Sequence, residues 1–99
     1  MARFDVYLNP DGKGYLLDVQ ANLLDALNTR IVVPLIPEAV APTAAQRLNP
    51  IFEIEAERCV MVTQFMAAVP RAILRAPLTN LAAHDTEIAN ALDMAFVGF

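Results

Sequence analysis

An apolar stripe with helical spacing runs to the last residue of the chain and constrains the fold more than any other feature. Its members lie three, four or seven residues apart: Leu81, Ile88, Leu92, Ala95, Phe96 and Phe99. That spacing places them on one face of a helix. Asp85 and Glu87 fall in the predicted first turn, where the helix dipole favours acidic groups, and Asn80 or Asp85 could cap the start. Gly98 stands where a helix would end.

The segments before this helix alternate in the manner of β-strands. Residues 3–7 and 15–20 alternate or are rich in strand formers, and the turn-forming residues 9–14 lie between them, which predicts a hairpin. Residues 30–35 form a nearly unbroken apolar run. This run predicts a strand covered on both faces, with a bend or a sheet edge at Pro34.

The middle of the chain predicts a long loop followed by further strands. Residues 37–50 are rich in alanine and proline, which indicates a surface loop with at most one helical turn. Residues 52–55 alternate, residues 56–58 can turn, and residues 59–69 supply one long strand or two short ones. Several strands before one helix predict a single domain over residues 1–99. Its expected fold is α+β, mainly β: a small SH3-like antiparallel barrel with a C-terminal helix.

Composition indicates a protein that binds other proteins. Hydrophobic residues make up 57% of the 99 residues and charged residues 18%, whereas a domain of this size buries only ~60 to 65% of its unfolded surface. The surplus predicts an exposed apolar patch and a homodimer. A net charge of −4 disfavours direct nucleic-acid binding. No stretch approaches the ~20 apolar residues of a membrane span, and residues 1–5 lack a signal-peptide core, so we expect a cytoplasmic protein without a membrane partner.

No residue set predicts a cofactor, a metal ion or a catalytic centre. Common nucleotide, hydrolase and zinc motifs are absent from the sequence. His84 is the only histidine, and the single cysteine, Cys59, cannot form an internal disulfide or a thiolate cluster. We expect Cys59 to be buried or half-buried. Three acidic residues alternate along the chain: Glu53, Glu55 and Glu57. We interpret them as the solvent-facing surface of a strand rather than as a cation site.

One pair of residues could support RNA cleavage. Arg30 would place a cation over the phosphate, and Thr63 would be a polar neighbour of the attacking hydroxyl. Such pairs are common by chance. We favour a different role for Arg30, an ion pair with Asp18 or Asp25 across neighbouring strands.

The order of these segments resembles a known family. The resemblance is carried by residues 4–7, Tyr15 with residues 17–20, and residues 30–35, 63–70 and 90–96. Together with the length and a glycine next to the last residue, they resemble CcdB, the toxin of a plasmid-addiction toxin–antitoxin pair. The resemblance covers essentially the whole chain, although no single segment is diagnostic.

The resemblance implies a function. Members of that family fold as dimeric SH3-like barrels with a C-terminal helix, insert into DNA gyrase at its GyrA subunit, and trap the complex with cleaved DNA. They are neutralised by the antitoxin CcdA. The resemblance therefore implies a toxin without enzymatic activity, whose partners are the GyrA subunit of DNA gyrase, a CcdA-like antitoxin and a second copy of the chain.

The resemblance also implies roles for individual residues. The gyrase contact would be made by the last four residues: Phe96, Val97, Gly98 and Phe99. The family typically ends in Trp-Gly-Ile, so Val97 stands where the tryptophan would be. An antitoxin would bind at Leu23, Leu24, Asp93 and Phe96, and the dimer interface would include Met94 and Ala95. Exchanging the tryptophan for valine could remove ~2 kcal/mol or more of binding free energy.

Several alternatives remain open at this point. Leu23 and Leu24 could be ordinary core leucines, and the tail could serve core or dimer packing as well as recognition. The same barrel occurs in MazF-like endoribonucleases, although the net charge of −4 argues against an RNA groove. Val97 also fits a weak poison, a preference for another gyrase, or a domesticated homologue that binds an antitoxin without harming gyrase.

Overall fold

The protein folds as a curled antiparallel sheet with one C-terminal helix. The structure, a computed structural model, describes residues 1–98. Within them, the strands are β1 (Asp5–Leu8), β2 (Tyr15–Asp18), β3 (Thr29–Pro37), β4 (Ile51–Ile54), β5 (Glu57–Met61), β6 (Ala67–Pro70) and β7 (Thr79–Asn80), and the helix is α1 (Asp85–Val97). Short 3₁₀ turns lie at Asn22–Leu24, Thr63–Phe65, Arg71–Ile73 and Ala82–His84. The predicted class, α+β and mainly β, is confirmed.

The strand β3 organises the sheet. The order is β4-β5-β3-β2-β1-β7, and β6 pairs with β3 beside β5. All pairs are antiparallel; β6 covers Thr29 to Val32 of β3, and β5 covers Leu35 to Pro37. Pro34 lies inside β3, not at its end as predicted. It is tolerated because it sits where β3 changes partners, and there its carbonyl accepts a hydrogen bond from the Val62 N–H.

The sheet is buried on both faces, as the apolar run in β3 predicts. Val33 and Leu35 face the main core between the sheet and α1, where Ile88 and Ala91 of the helix are fully buried. Val32 faces a second cluster, formed with Tyr7, Leu16 and Leu74. Ile88 and Leu92 pack toward the sheet as expected, with Leu92 half-buried.

The predicted first hairpin is present with different bounds. β1 begins at Asp5, because Phe4 has a φ of 73° and cannot continue an extended strand. Gly14 is required in the turn: its φ is +88°, and a Cβ at this position would overlap the carbonyl oxygen of Leu35. β2 ends at Asp18, two residues before the predicted end.

Elements of the second half differ from the prediction in detail. The loop before β4 contains turns and bends but no helix or strand, in agreement with the predicted surface loop. The stretch 59–69 forms two strands, separated by the 3₁₀ turn Thr63–Phe65, and the preceding turn lies at Glu55 and Ala56. β7 was not predicted. Asn80 accepts a hydrogen bond from the Ala82 N–H at the 3₁₀ turn before the helix, but neither this turn nor the helix has a side-chain cap at its N-terminus. The prediction that Asn80 or Asp85 caps the helix is therefore wrong.

Candidate functional site

The last turn of α1 carries large apolar side chains in solvent. Ile88 and Ala91 are fully buried, whereas Phe96 is 72% and Val97 59% exposed. Burying an aromatic or aliphatic side chain is worth about 1.5–3 kcal/mol. Exposing two of them at the end of a helix that packs on the core through one face is typical of a surface that binds a partner.

Gly98 ends the helix in the predicted way. Its φ is 81°, and its N–H donates to the carbonyls of Asp93 and Met94 at 3.2 and 3.1 Å. An L-residue in its place would be strained in this left-handed conformation. Gly98 therefore fixes the direction in which the chain leaves the helix. Phe99, the remaining member of the predicted gyrase contact, lies outside the described residues.

A groove of about 560 Å³ runs beside this helix end. It is lined by Leu48, Thr63, Gln64, Met66, Met94, Ala95 and Phe96. Thr63 is 1% exposed, and its hydroxyl donates to the Leu48 carbonyl, so its polar group is already satisfied. Both predicted dimer residues, Met94 and Ala95, line this mostly apolar groove. Met94 is half-buried and Ala95 is exposed.

A second apolar surface lies at the 3₁₀ turn Asn22–Leu24, between β2 and β3. Leu23 is 93% and Leu24 44% exposed, and the turn contains no buried residue. The alternative that these residues are core leucines is therefore wrong. Leu27, which no sequence pattern singled out, is also 48% exposed. The sequence feature that could have identified Leu27 as a surface residue is the cluster of leucines among residues 23–27, which lacks the alternation of a strand.

The predicted antitoxin-binding residues belong to two separate elements. Asp93, exposed, and Phe96 lie on α1, whereas Leu23 and Leu24 lie on the turn after β2. Within residues 1–98, no hydrogen bond or ion pair joins that turn to α1.

Arg30 is held in a buried ion pair rather than in a groove. It is fully buried, and its Nε and Nη2 lie 2.8 and 2.6 Å from Oδ2 of Asp18. Its Nη1 lies 3.0 Å from Oδ1 of Asp25, so both predicted ion-pair partners are used. The guanidinium is thus neutralised by two carboxylates. Neither Arg30 nor the buried Thr63 presents its polar group to solvent.

Burial dominates the electrostatics around this pair. It raises the pKa of Asp18, although the hydrogen bond and charge of Arg30 and the Gln20 N–H oppose the rise. Burial, followed by the nearby charge of Asp5, raises the pKa of Tyr7 to about 12. Tyr7 is therefore protonated at neutral pH, and its hydroxyl lies 3.4 Å from Oδ2 of Asp5.

The remaining chemically active side chains occur singly. His84 is exposed, lies 3.2 Å from the Glu87 carboxylate and packs against the Phe52 ring. Cys59 is buried, as expected, and burial raises the pKa of its thiol to about 11. Across residues 1–98, no three His, Cys, Asp or Glu residues are grouped to hold a metal ion. The described part of the chain also has no helix long and apolar enough to cross a membrane.

These features define a class of protein: a small half-barrel with a C-terminal helix and exposed apolar side chains at the helix end and at the turn after β2. A sequence model of a known family, described as CcdB protein, matches residues 3–98, nearly the whole chain. The chain therefore belongs to the CcdB family, the toxins of toxin–antitoxin systems. The resemblance described from the sequence is confirmed.

Proposed function

We propose that this protein poisons DNA gyrase by binding its GyrA subunit through the C-terminal tail. The observation that carries this proposal is the exposure of Phe96 and Val97, at 72% and 59%, at the end of a helix whose inner face is buried at Ile88 and Ala91. Gly98 directs the chain out of the helix. An apolar anchor on a rigid helix end loses little conformational entropy when it binds, which suits it to a protein interface.

The test is to remove the tail without disturbing the core. Deleting residues 98–99 removes no buried side chain among the described residues, so the melting temperature should change little. Trapping of cleaved DNA by gyrase should fall strongly, because the contact loses its end. If the truncated chain unfolds, or poisons gyrase as well as the full chain does, the tail has a structural role and this proposal is wrong.

Val97 gives the complementary experiment. Val97→Trp restores the flat aromatic of the family pattern at a site that is already 59% exposed, where the larger side chain can be accommodated in solvent. It should increase the amount of cleaved DNA that gyrase accumulates. The matched control is Val40→Trp, because Val40 is 64% exposed and lies in the loop after β3. An equal effect of both variants would contradict a specific contact at Val97.

A second candidate function is antitoxin binding without gyrase poisoning. Val97 in place of tryptophan favours it, because tryptophan is among the residues that dominate interface energies. Both functions share the antitoxin surface, which we place at Leu23, Leu24, Asp93 and Phe96. Inactivity of the wild-type chain on gyrase, together with tight binding of a CcdA-family antitoxin, would select this candidate.

We also propose that the protein is a homodimer and has no enzymatic activity. The apolar groove beside Met94 and Ala95 supports an interface between two copies. The burial of Arg30 and Thr63 supports the absence of ribonuclease activity, because a phosphate would have to reach a cation that two carboxylates already neutralise. Cleavage of long single-stranded RNA by the wild-type protein that disappears in Arg30→Ala would overturn the proposal that the protein has no enzymatic activity.

A further inference from the structure

The segment that displays Leu23 and Leu24 has no hydrophobic anchor of its own. We call residues 21–28 the leucine turn. Leu23, Leu24 and Leu27 are exposed, and the 3₁₀ turn within it contains no buried residue. Burial normally supplies the energy that offsets the entropy of ordering a chain segment. The conformation of the leucine turn must therefore depend on polar contacts.

One of these contacts comes from Gln20, two residues after the end of β2. Gln20 is only 3% exposed, and its side chain bridges two main-chain groups. Its Nε2 donates to the Leu24 carbonyl at 2.9 Å, and its Oε1 accepts from the Ile31 N–H at 3.1 Å. The carboxamide therefore ties the leucine turn to β3, and its burial excludes water that would compete for both bonds.

The opposite side of the leucine turn is held by Arg71, which follows β6. Its Nη1 donates to the Asp25 carbonyl at 2.8 Å, and its own N–H donates to the Asn28 carbonyl at 2.9 Å. Arg30 adds the bond from Nη1 to the Asp25 carboxylate. Arg71 thus contacts the backbone of a segment more than forty residues earlier in the chain.

We propose that Arg71 and Gln20 are positioning residues that hold the leucine turn in the conformation a CcdA-like antitoxin binds. This inference rests on the proposed antitoxin function. It extends that function, because neither residue needs to touch the antitoxin. Gln20 holds the carbonyl of the exposed Leu24, and Arg71 holds the carbonyl of Asp25, which lies within two positions of all three leucines. The leucines are therefore presented in an ordered arrangement before binding. A partner then does not have to order them, which strengthens binding.

The decisive variant is Arg71→Met, which keeps the apolar stem and removes the donor. The probe is a synthetic peptide of the C-terminal half of a CcdA-family antitoxin, titrated calorimetrically into the full chain. Losing a charge-assisted hydrogen bond should weaken binding about tenfold. Arg71→Lys, which keeps a cationic donor, should recover part of this loss. Arg75→Met is the matched control, because Arg75 is exposed and has no hydrogen bond to the leucine turn. The affinity of this variant for the peptide should stay at the wild-type value.

Two further measurements separate positioning from a general effect on stability. In a double-mutant cycle, Arg71→Met should reduce affinity much less in a Leu23→Ala background than in the wild-type chain, because the leucine it positions is gone. Hydrogen exchange should accelerate at the Leu24 and Leu27 amides, which donate within the leucine turn. The paired amides of β2 and β3 should keep their protection.

The outcomes distinguish this inference from the function on which it rests. If Leu23→Ala leaves peptide affinity unchanged, or the wild-type chain does not bind the peptide, the proposed antitoxin surface is wrong. If Leu23→Ala weakens binding but Arg71→Met does not, only the positioning role is refuted. Equal losses from Arg71→Met in both backgrounds, or accelerated exchange throughout β2 and β3, would also refute it.

Discussion

Replacing Arg30 by methionine should show how much the buried ion pair of Arg30 contributes to the free energy of unfolding. Arg30 and Asp18 are both fully buried, and the guanidinium lies 2.6 to 2.8 Å from the carboxylate. Removing one partner of such a pair leaves an uncompensated charge and costs about 3–5 kcal/mol. Small domains have a total unfolding free energy of about 5–15 kcal/mol. Methionine keeps most of the side-chain volume, so the loss is chiefly electrostatic.

The loss should depend on pH in a defined direction. Burial already raises the pKa of Asp18 above its ordinary value, and loss of the Arg30 cation should raise it further. A carboxyl whose pKa is higher in the folded state than in the unfolded state favours folding when it is protonated. The free energy of unfolding is therefore highest below the unfolded-state pKa, and it decreases as the pH rises through the folded-state pKa. Arg30→Met should therefore be destabilised more at about pH 8 than at about pH 5.

Urea unfolding at both pH values and at a fixed protein concentration measures this effect. The matched control is Arg58→Met, because Arg58 makes a comparable two-point contact with Glu38, at 2.9 and 3.2 Å, on the surface. Solvent screens that pair, so its loss should change the midpoint little. A loss below about 1 kcal/mol for Arg30→Met, or equal losses at the two pH values, would refute the argument.

Three other predictions follow from burial and composition. Ile88→Ala should lower the free energy of unfolding by about 2–5 kcal/mol, measured by urea denaturation, because Ile88 is fully buried between α1 and the sheet; a loss like that of an exposed site would mean the helix is not docked. The buried Cys59 thiol, whose pKa is raised to about 11, should resist iodoacetamide at about pH 8 in the native protein and react in guanidinium; rapid native labelling would contradict its burial. Light scattering at micromolar concentration should give twice the mass of one chain, and a clean monomer would remove the basis for an interface at Met94 and Ala95.

The sequence determined the features that depend on local pattern. Alternation predicted β1 and β4, and strand-forming residues after a turn segment predicted β2. The β-branched run predicted a strand buried on both faces, and helical spacing predicted α1 with its end at Gly98. These succeed because side-chain direction repeats every two residues in a strand and every 3.6 residues in a helix. The order of the segments was enough to assign the family. The choice of Asp18 or Asp25 for Arg30 was left open, and the structure uses both.

Only the tertiary structure decided which apolar residues face solvent. Leu23 and Leu24 are as hydrophobic as the leucines of the core, yet the leucine turn lies outside the area that the sheet and helix can cover. The short strand β7 and the tolerance of Pro34 within β3 likewise depend on where another strand begins or ends. What each segment can bury follows from its residues, because hydrophobicity is a property of the side chain. Exposure depends on contacts between segments distant in the chain, as Arg71 and the leucine turn show, and no local pattern encodes those contacts.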